Sequence, residues 1–246
     1  MDLLSNLILS FDPTKPNFRP TELYNESWLI KIVLHQAAEI EYDGFPLGFL
    51  PSSSWFSEGL LPTVFKARYR GDKLAESRTN ADGVIGHFLI GAKAKADFEL
   101  TRSAKQFTIV EAKVGSPLSS GTSNAPYFDQ AARNVACMAE VLARSNISPS
   151  TMERLDFIVL APQSSIEKGT FAKEIQPGSI RSKVMRRVSE YNGQHDEWFT
   201  KYFESTIERI QLLSLSWEST IEWICTSRPK IKKQLESFYG FCLEIN

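Results

Sequence analysis

The stretch Phe107-Thr-Ile-Val-Glu-Ala-Lys-Val114 sets two ionisable side chains, Glu111 and Lys113, into an otherwise apolar run. Phe107, Ile109, Val110 and Val114 read as a β-strand. Residues two apart on a strand point to the same face, so Glu111 and Lys113 stand side by side. Burying a carboxylate and an ammonium together costs on the order of several kcal/mol unless they pair or meet a metal ion. The useful arrangement is a carboxylate that ligates a divalent cation beside an ammonium that orients water and faces phosphate. Such a site needs one more acid, from a neighbouring strand. The bland alternative, a surface ion pair on an edge strand, fits the apolar context poorly.

Upstream of this strand, Val84, Ile85, Phe88, Leu89 and Ile90 read as one strand. Phe98 and Leu100, alternating with Asp97 and Glu99, read as another. Further back, residues 44–63 are rich in Gly, Pro and Ser and read as loop. Before them, Thr21 to Glu39 is a helix, with Trp28, Leu29, Ile32, Val33 and Gln36 on its stripe. Residues 11–21, with Pro13, Pro16 and Pro20, read as an extended lead-in.

Downstream, residues 115–126 form a Ser- and Gly-containing loop with Ser116, Ser119, Ser120 and Ser123. It lacks the Gly-x-Ser-x-Gly spacing of a nucleophile elbow. It is either a plain connector or a source of hydroxyls and amides for a phosphate. Asp129 to Arg144 reads as a helix, and Leu155 to Ala161 as an internal strand, since it is almost wholly apolar. After Pro162 the chain reads as helices: 179–191, 197–213, 218–226 and 231–241. The first of these carries Arg181, Lys183, Arg186 and Arg187. That helix is either a solvated face or a surface that contacts backbone phosphates. The order gives an α/β (α+β) class, with a central mixed sheet flanked by helices and a helical C-terminal tail. Residues 1–165 are read as the core and 166–246 as a helical extension packed on it, one domain overall.

Composition narrows the function classes. The chain has 246 residues, 42% hydrophobic and 23% charged, with a formal net charge of −1. That is ordinary for a globular protein, and any nucleic-acid surface must be local. Cys137, Cys225 and Cys242 stand far apart with no CxxC pair, which argues against zinc or a disulfide framework and for a reducing cytoplasm. His35, His87 and His195 are scattered without ligand spacing. The N-terminal run Met1 to Ser10 carries Asp2 instead of a basic region and reads as structure, not as a signal peptide. No membrane span is expected, since no run approaches the roughly 20 apolar residues one needs.

The ordered pattern over roughly residues 22–165 resembles the PD-(D/E)XK nuclease superfamily, the restriction-endonuclease-like fold. Its elements here are a helix, an Asp-bearing strand, the Glu-Ala-Lys strand, a Gln-bearing helix and a strand. The resemblance implies a nuclease that uses Mg²⁺ or Mn²⁺ to hydrolyse DNA, with roles in restriction, repair or phage defence. RNA stays open as a substrate, and so does a homodimer or a partner subunit. The alternative is a catalytically inactive nuclease-fold module that binds nucleic acid or protein. The resemblance implies that Glu111 ligates the metal and Lys113 positions water. Asp82, in Ala81-Asp-Gly-Val-Ile-Gly86, looks like the family's "PD" with Ala for Pro. Asp97 is the rival second metal ligand. A hairpin between residues 95–101 and 107–114 would set Asp97 across from Glu111. Asp82 serves instead if its strand pairs directly with the Glu-Ala-Lys strand and residues 92–103 form an excursion, and it is the preferred reading. Glu26, at the start of the first helix, is either a further metal-proximal acid or a helix N-terminal acid that suits the dipole. Gln130 is either a superfamily glutamine or simple N-terminal polarity.

Overall fold

The computed structural model of the chain describes residues 19–76, 79–91, 98–122 and 124–245. The N-terminal apolar run and the lead-in up to residue 18 lie outside them. Strand β5 (Gln106–Ala112) is buried along its whole length and is the middle of a five-stranded sheet in the order β1-β2-β5-β6-β7. Strand β2 (Thr79–Gly86) runs antiparallel to both of its neighbours, β1 (Ser54–Leu61) and β5. Strands β6 (Arg154–Ala161) and β7 (Gln211–Ser216) continue from β5 in parallel. The class is thus mixed α/β, a central mixed sheet flanked by helices, as the element order implies.

Helices cover both faces. A short α1 (Pro20–Leu23) precedes α2 (Glu26–Ala37), which is capped by the Asn25 side chain accepting from the Trp28 amide. The buried stripe of α2 is Leu29, Ile30, Val33, Leu34 and Ala37. It is rotated from the expected one because α2 is apolar on two sides. One side packs on the sheet, and Ile32 joins the same cluster as Leu235 and Phe238. Helix α3 (Gln130–Arg144) covers the other face, capped by Asp129 accepting from the Ala132 amide. The rest follow as α4 (Gln163–Glu167), α5 (Pro177–Ser189), α6 (Asp196–Trp198), a π turn (Phe199–Phe203), α7 (Glu204–Arg209), α8 (Trp217–Ser227) and α9 (Lys232–Ile245). Among the described residues no helix is long and apolar enough to cross a membrane.

Three expectations are corrected. Residues 44–63 contain strand β1, which forms because β2 offers it a free edge despite a loop-like composition. The helix expected to reach residue 213 stops at Arg209. Ile210 turns to extended backbone (φ −66°, ψ 141°), and Gln211–Ser216 becomes the edge strand that pairs with β6. Its leucines fit either period, and only the open edge of β6 selects the strand. The segment after residue 165 therefore contributes to the central sheet. Finally, Val84 to Ile90 is not one strand. Strand β2 ends at Gly86, where a Cβ would lie 2.2 Å from the Gln106 carbonyl oxygen, so only glycine fits that approach. Beyond it, β3 (Phe88–Ile90) and β4 (Phe98–Leu100) form a separate two-stranded sheet.

Candidate active site

The sheet pairing decides which acid meets Glu111. Strands β2 and β5 pair from Gly86–Phe107 to Gly83–Val110. One position further on, Asp82 and Glu111 face each other. The ladder opens there, and the Asp82 carboxylate accepts the Ala112 amide at 2.8 Å in place of a backbone carbonyl. The hairpin that would bring Asp97 opposite Glu111 does not form: β4 pairs with β3, and the neighbours of β5 are β2 and β6. Asp97 itself lies outside the described residues.

Glu111 is fully buried, and its carboxylate is held from three directions. Lys113 Nζ lies 2.8 Å from Oε1. Gln130 Nε2 donates to the same oxygen, and Asn134 Nδ2 donates to Oε2 at 3.2 Å. Gln130 and Asn134 are four apart on α3, so both reach down from one helix face onto one carboxylate. Glu26, from the first turn of α2, accepts the Val114 amide at 3.2 Å just past the strand. Trp217, buried at the start of α8, donates its indole N–H to the Lys113 carbonyl at 2.8 Å. The strand end that carries the lysine is thus tied down on both sides.

The electrostatics follow from three carboxylates facing one ammonium. Burial pushes Glu111 up to about 8, and the nearby Asp82 charge and hydrogen bond push the same way against Lys113. Glu26 is raised by burial and by Asp82, with Lys113 and the Val114 amide opposing. For Lys113, burial alone favours the neutral amine, but the charges of Glu111, Asp82 and Glu26 outweigh it and raise its pKa.

The sequence-derived residues Asp82, Glu111, Lys113, Glu26 and Gln130 therefore meet in one place. Asn134 was missed, although its spacing of four from Gln130 was a usable signal. Trp217 carries no such signal, since its role depends on how α8 docks. The basic helix is corrected. Lys183 reaches Asp129 at 2.5 Å, Arg181 pairs with Glu204, and Arg187 is fully buried and bonded to Glu190 at 2.6 Å. Arg186 lies over the Tyr127 ring, 3.7 Å from its centroid. Helix α5 keeps a solvated face, with Arg181 and Arg186 exposed, and three of its four cations, Arg181, Lys183 and Arg187, are paired with acids. It braces the N-terminus of α3, the turn that presents Gln130.

Among the described residues no three His, Cys, Asp or Glu side chains form a metal-holding group. Two carboxylates, Asp82 and Glu111, do converge, and Mg²⁺ is commonly held by one or two carboxylates with water completing its shell. The excess of negative charge and the unpartnered, buried Oδ1 of Asn134 beside Glu111 fit a hydrated dication as well. No family model, no curated protein and no solved structure matches the chain.

Proposed function

We propose that this chain is a Mg²⁺-dependent (or Mn²⁺-dependent) nuclease of PD-(D/E)XK type that hydrolyses phosphodiester bonds of DNA. The observation that carries this reading is the meeting of Asp82, Glu111 and Lys113 where β2 and β5 part. Asp82 and Glu111 are the residues that would hold the cation. When bound, the cation supplies Lewis-acid polarisation of the phosphoryl oxygen and activation of the attacking water. Lys113, fixed by Glu111, orients that water and offsets the charge that builds on the phosphoryl group in the transition state. Gln130 and Asn134 lock the Glu111 carboxylate in one orientation. Glu111 chiefly, with Asp82 and then Glu26, supplies the negative charge that favours the protonated ammonium of Lys113.

The test is cleavage of plasmid, linear DNA and RNA by the purified protein with Mg²⁺ or Mn²⁺, and with chelator. DNA cleavage is expected to need the cation. Glu111→Gln and Lys113→Ala are expected to lose about a thousandfold or more, ~4 kcal/mol of transition-state stabilisation. Equal cleavage by these variants and the wild type would overturn the reading. Asp82→Asn should be inactive yet folded by circular dichroism, and Asp97→Asn active. The reverse result would move the second ligand to Asp97.

A further inference from the structure

Arg133 lies on α3 between Gln130 and Asn134, the two residues that grip Glu111. Its Nη2 donates to the Ser119 hydroxyl at 2.9 Å. The Ser119 amide donates to Gln130 Oε1 at 3.0 Å, and Gln130 donates in turn to Glu111. The guanidinium is therefore joined to the candidate catalytic carboxylate through one exposed serine of the 115–126 loop. We propose that Arg133 binds a backbone phosphate of the substrate next to the scissile one, exchanging the Ser119 hydroxyl for a phosphate oxygen. This rests on the nuclease reading given above.

The guanidinium is under-used where it stands. An arginine has five N–H donors in a planar fork that matches a phosphate. Ser119 is a neutral partner for one of them, and Arg133 Nε is buried without any. Among the described residues no carboxylate oxygen lies within 4.0 Å of it. The neighbouring cations are committed. Lys183 holds Asp129, Arg181 holds Glu204, and Arg187 is sealed in the core with Glu190. Arg186 lies over the Tyr127 ring. The charge of Arg133 acts on Glu76, which burial raises to about 7 and thereby weakens as a counter-charge at neutral pH. Swapping a neutral hydroxyl for an anion gives the stronger, charge-assisted bond. The exchange leaves Ser119 in place, since its amide donates to Gln130 Oε1 and its carbonyl accepts the Gln130 amide without the hydroxyl.

The experiment measures binding of fluorescent single- and double-stranded oligonucleotides by anisotropy across a salt series, with Ca²⁺ replacing Mg²⁺. Arg133→Gln is expected to weaken binding about tenfold and to lower the slope of log K against log salt by about 0.7–0.9, one phosphate contact. Arg133→Lys, which keeps the charge and covers the event that the glutamine variant misfolds, should keep most of the slope. Ser119→Ala should bind no more weakly than wild type. In steady-state cleavage Arg133→Gln should raise KM far more than it lowers kcat. Equal losses in Ser119→Ala and Arg133→Gln with an unchanged slope would show a mere brace for the loop and overturn the proposal. So would a wild type that binds no oligonucleotide. A wild type that binds with an Arg133-dependent slope but never cleaves would keep this site and sink the hydrolytic reading alone.

Discussion

Two buried carboxyl groups lie beneath α3, Glu111 and Glu76, and both are raised, to about 8 and about 7. Their surroundings are opposite. Both oxygens of Glu111 accept hydrogen bonds, and a second carboxylate, Asp82, adds to the effect of burial. Glu76 has an oxygen with no partner, and the closest guanidinium nitrogen, Arg187 Nε, stands 3.9 Å away. There burial acts alone, and Arg187 and Arg133 oppose it. Burial is the largest cause of both shifts, and the two sites differ in what is added to it. At Glu111 like charges have been brought together, an arrangement that added positive charge relieves. At Glu76 water has been removed from an incompletely bonded pair, an arrangement that adding a cation nearby does not improve.

The strongest way to break this comparison is to remove the positive charge from the Glu76 side. Arg187 is fully buried and serves Glu190, the Leu74 carbonyl and the faces of Phe65, Phe128 and Tyr191. Arg187→Met leaves buried acids without their cation and is expected to cost about 3–5 kcal/mol in urea unfolding. Adding Glu76→Gln should recover part of that loss. A second test adds charge at the other site. Mn²⁺ at a hundred times its Kd should stabilise the wild type by about 2.7 kcal/mol, a rise of several degrees in Tm. Glu76→Gln should keep this rise and Glu111→Gln should lose it. An identical rise in both variants would mean that the ion binds elsewhere.

The third test is the pH dependence of stability. The folded-state pKa of Glu76, about 7, lies above its ordinary value of 4.5, so the native state binds the proton more tightly than the unfolded chain. The stability this contributes is fully present below about pH 4.5 and is lost as pH rises through 7. Its size is ~3 kcal/mol. Glu26, Asp156 and Glu111 are shifted the same way and add to the wild-type slope. The difference between wild type and Glu76→Gln in urea midpoint, measured from pH 4.5 to 7.5, isolates the one group. A constant difference across that range would show that Glu76 does not titrate there.

Local pattern made much of the site legible. Glu111 and Lys113 share a face because a strand alternates with period two, and their apolar neighbours place that strand inside. Asp129 marks the start of α3 as an N-cap, which sets Gln130 in its first turn. The apolar run 155–161 marks β6 as internal, and it lies between β5 and β7. These follow from backbone geometry over a few residues. The choice between Asp82 and Asp97 does not, because it depends on which strand pairs with β5, and the turn-forming residues between them allow either pairing. The close approach of Gly86 to the Gln106 carbonyl steers β3 and β4 away and leaves β2 beside β5. Strands β1 and β7 likewise exist only as partners of strands already in place. The charges of α5 looked free in one dimension and are occupied in three, by Asp129, Glu190 and Glu204 from distant elements or the helix's own end. Periodicity determines which side chains share a face. Which faces meet, and which charges are left unpaired as at Arg133, is decided only when segments far apart in the chain compete for the same neighbours.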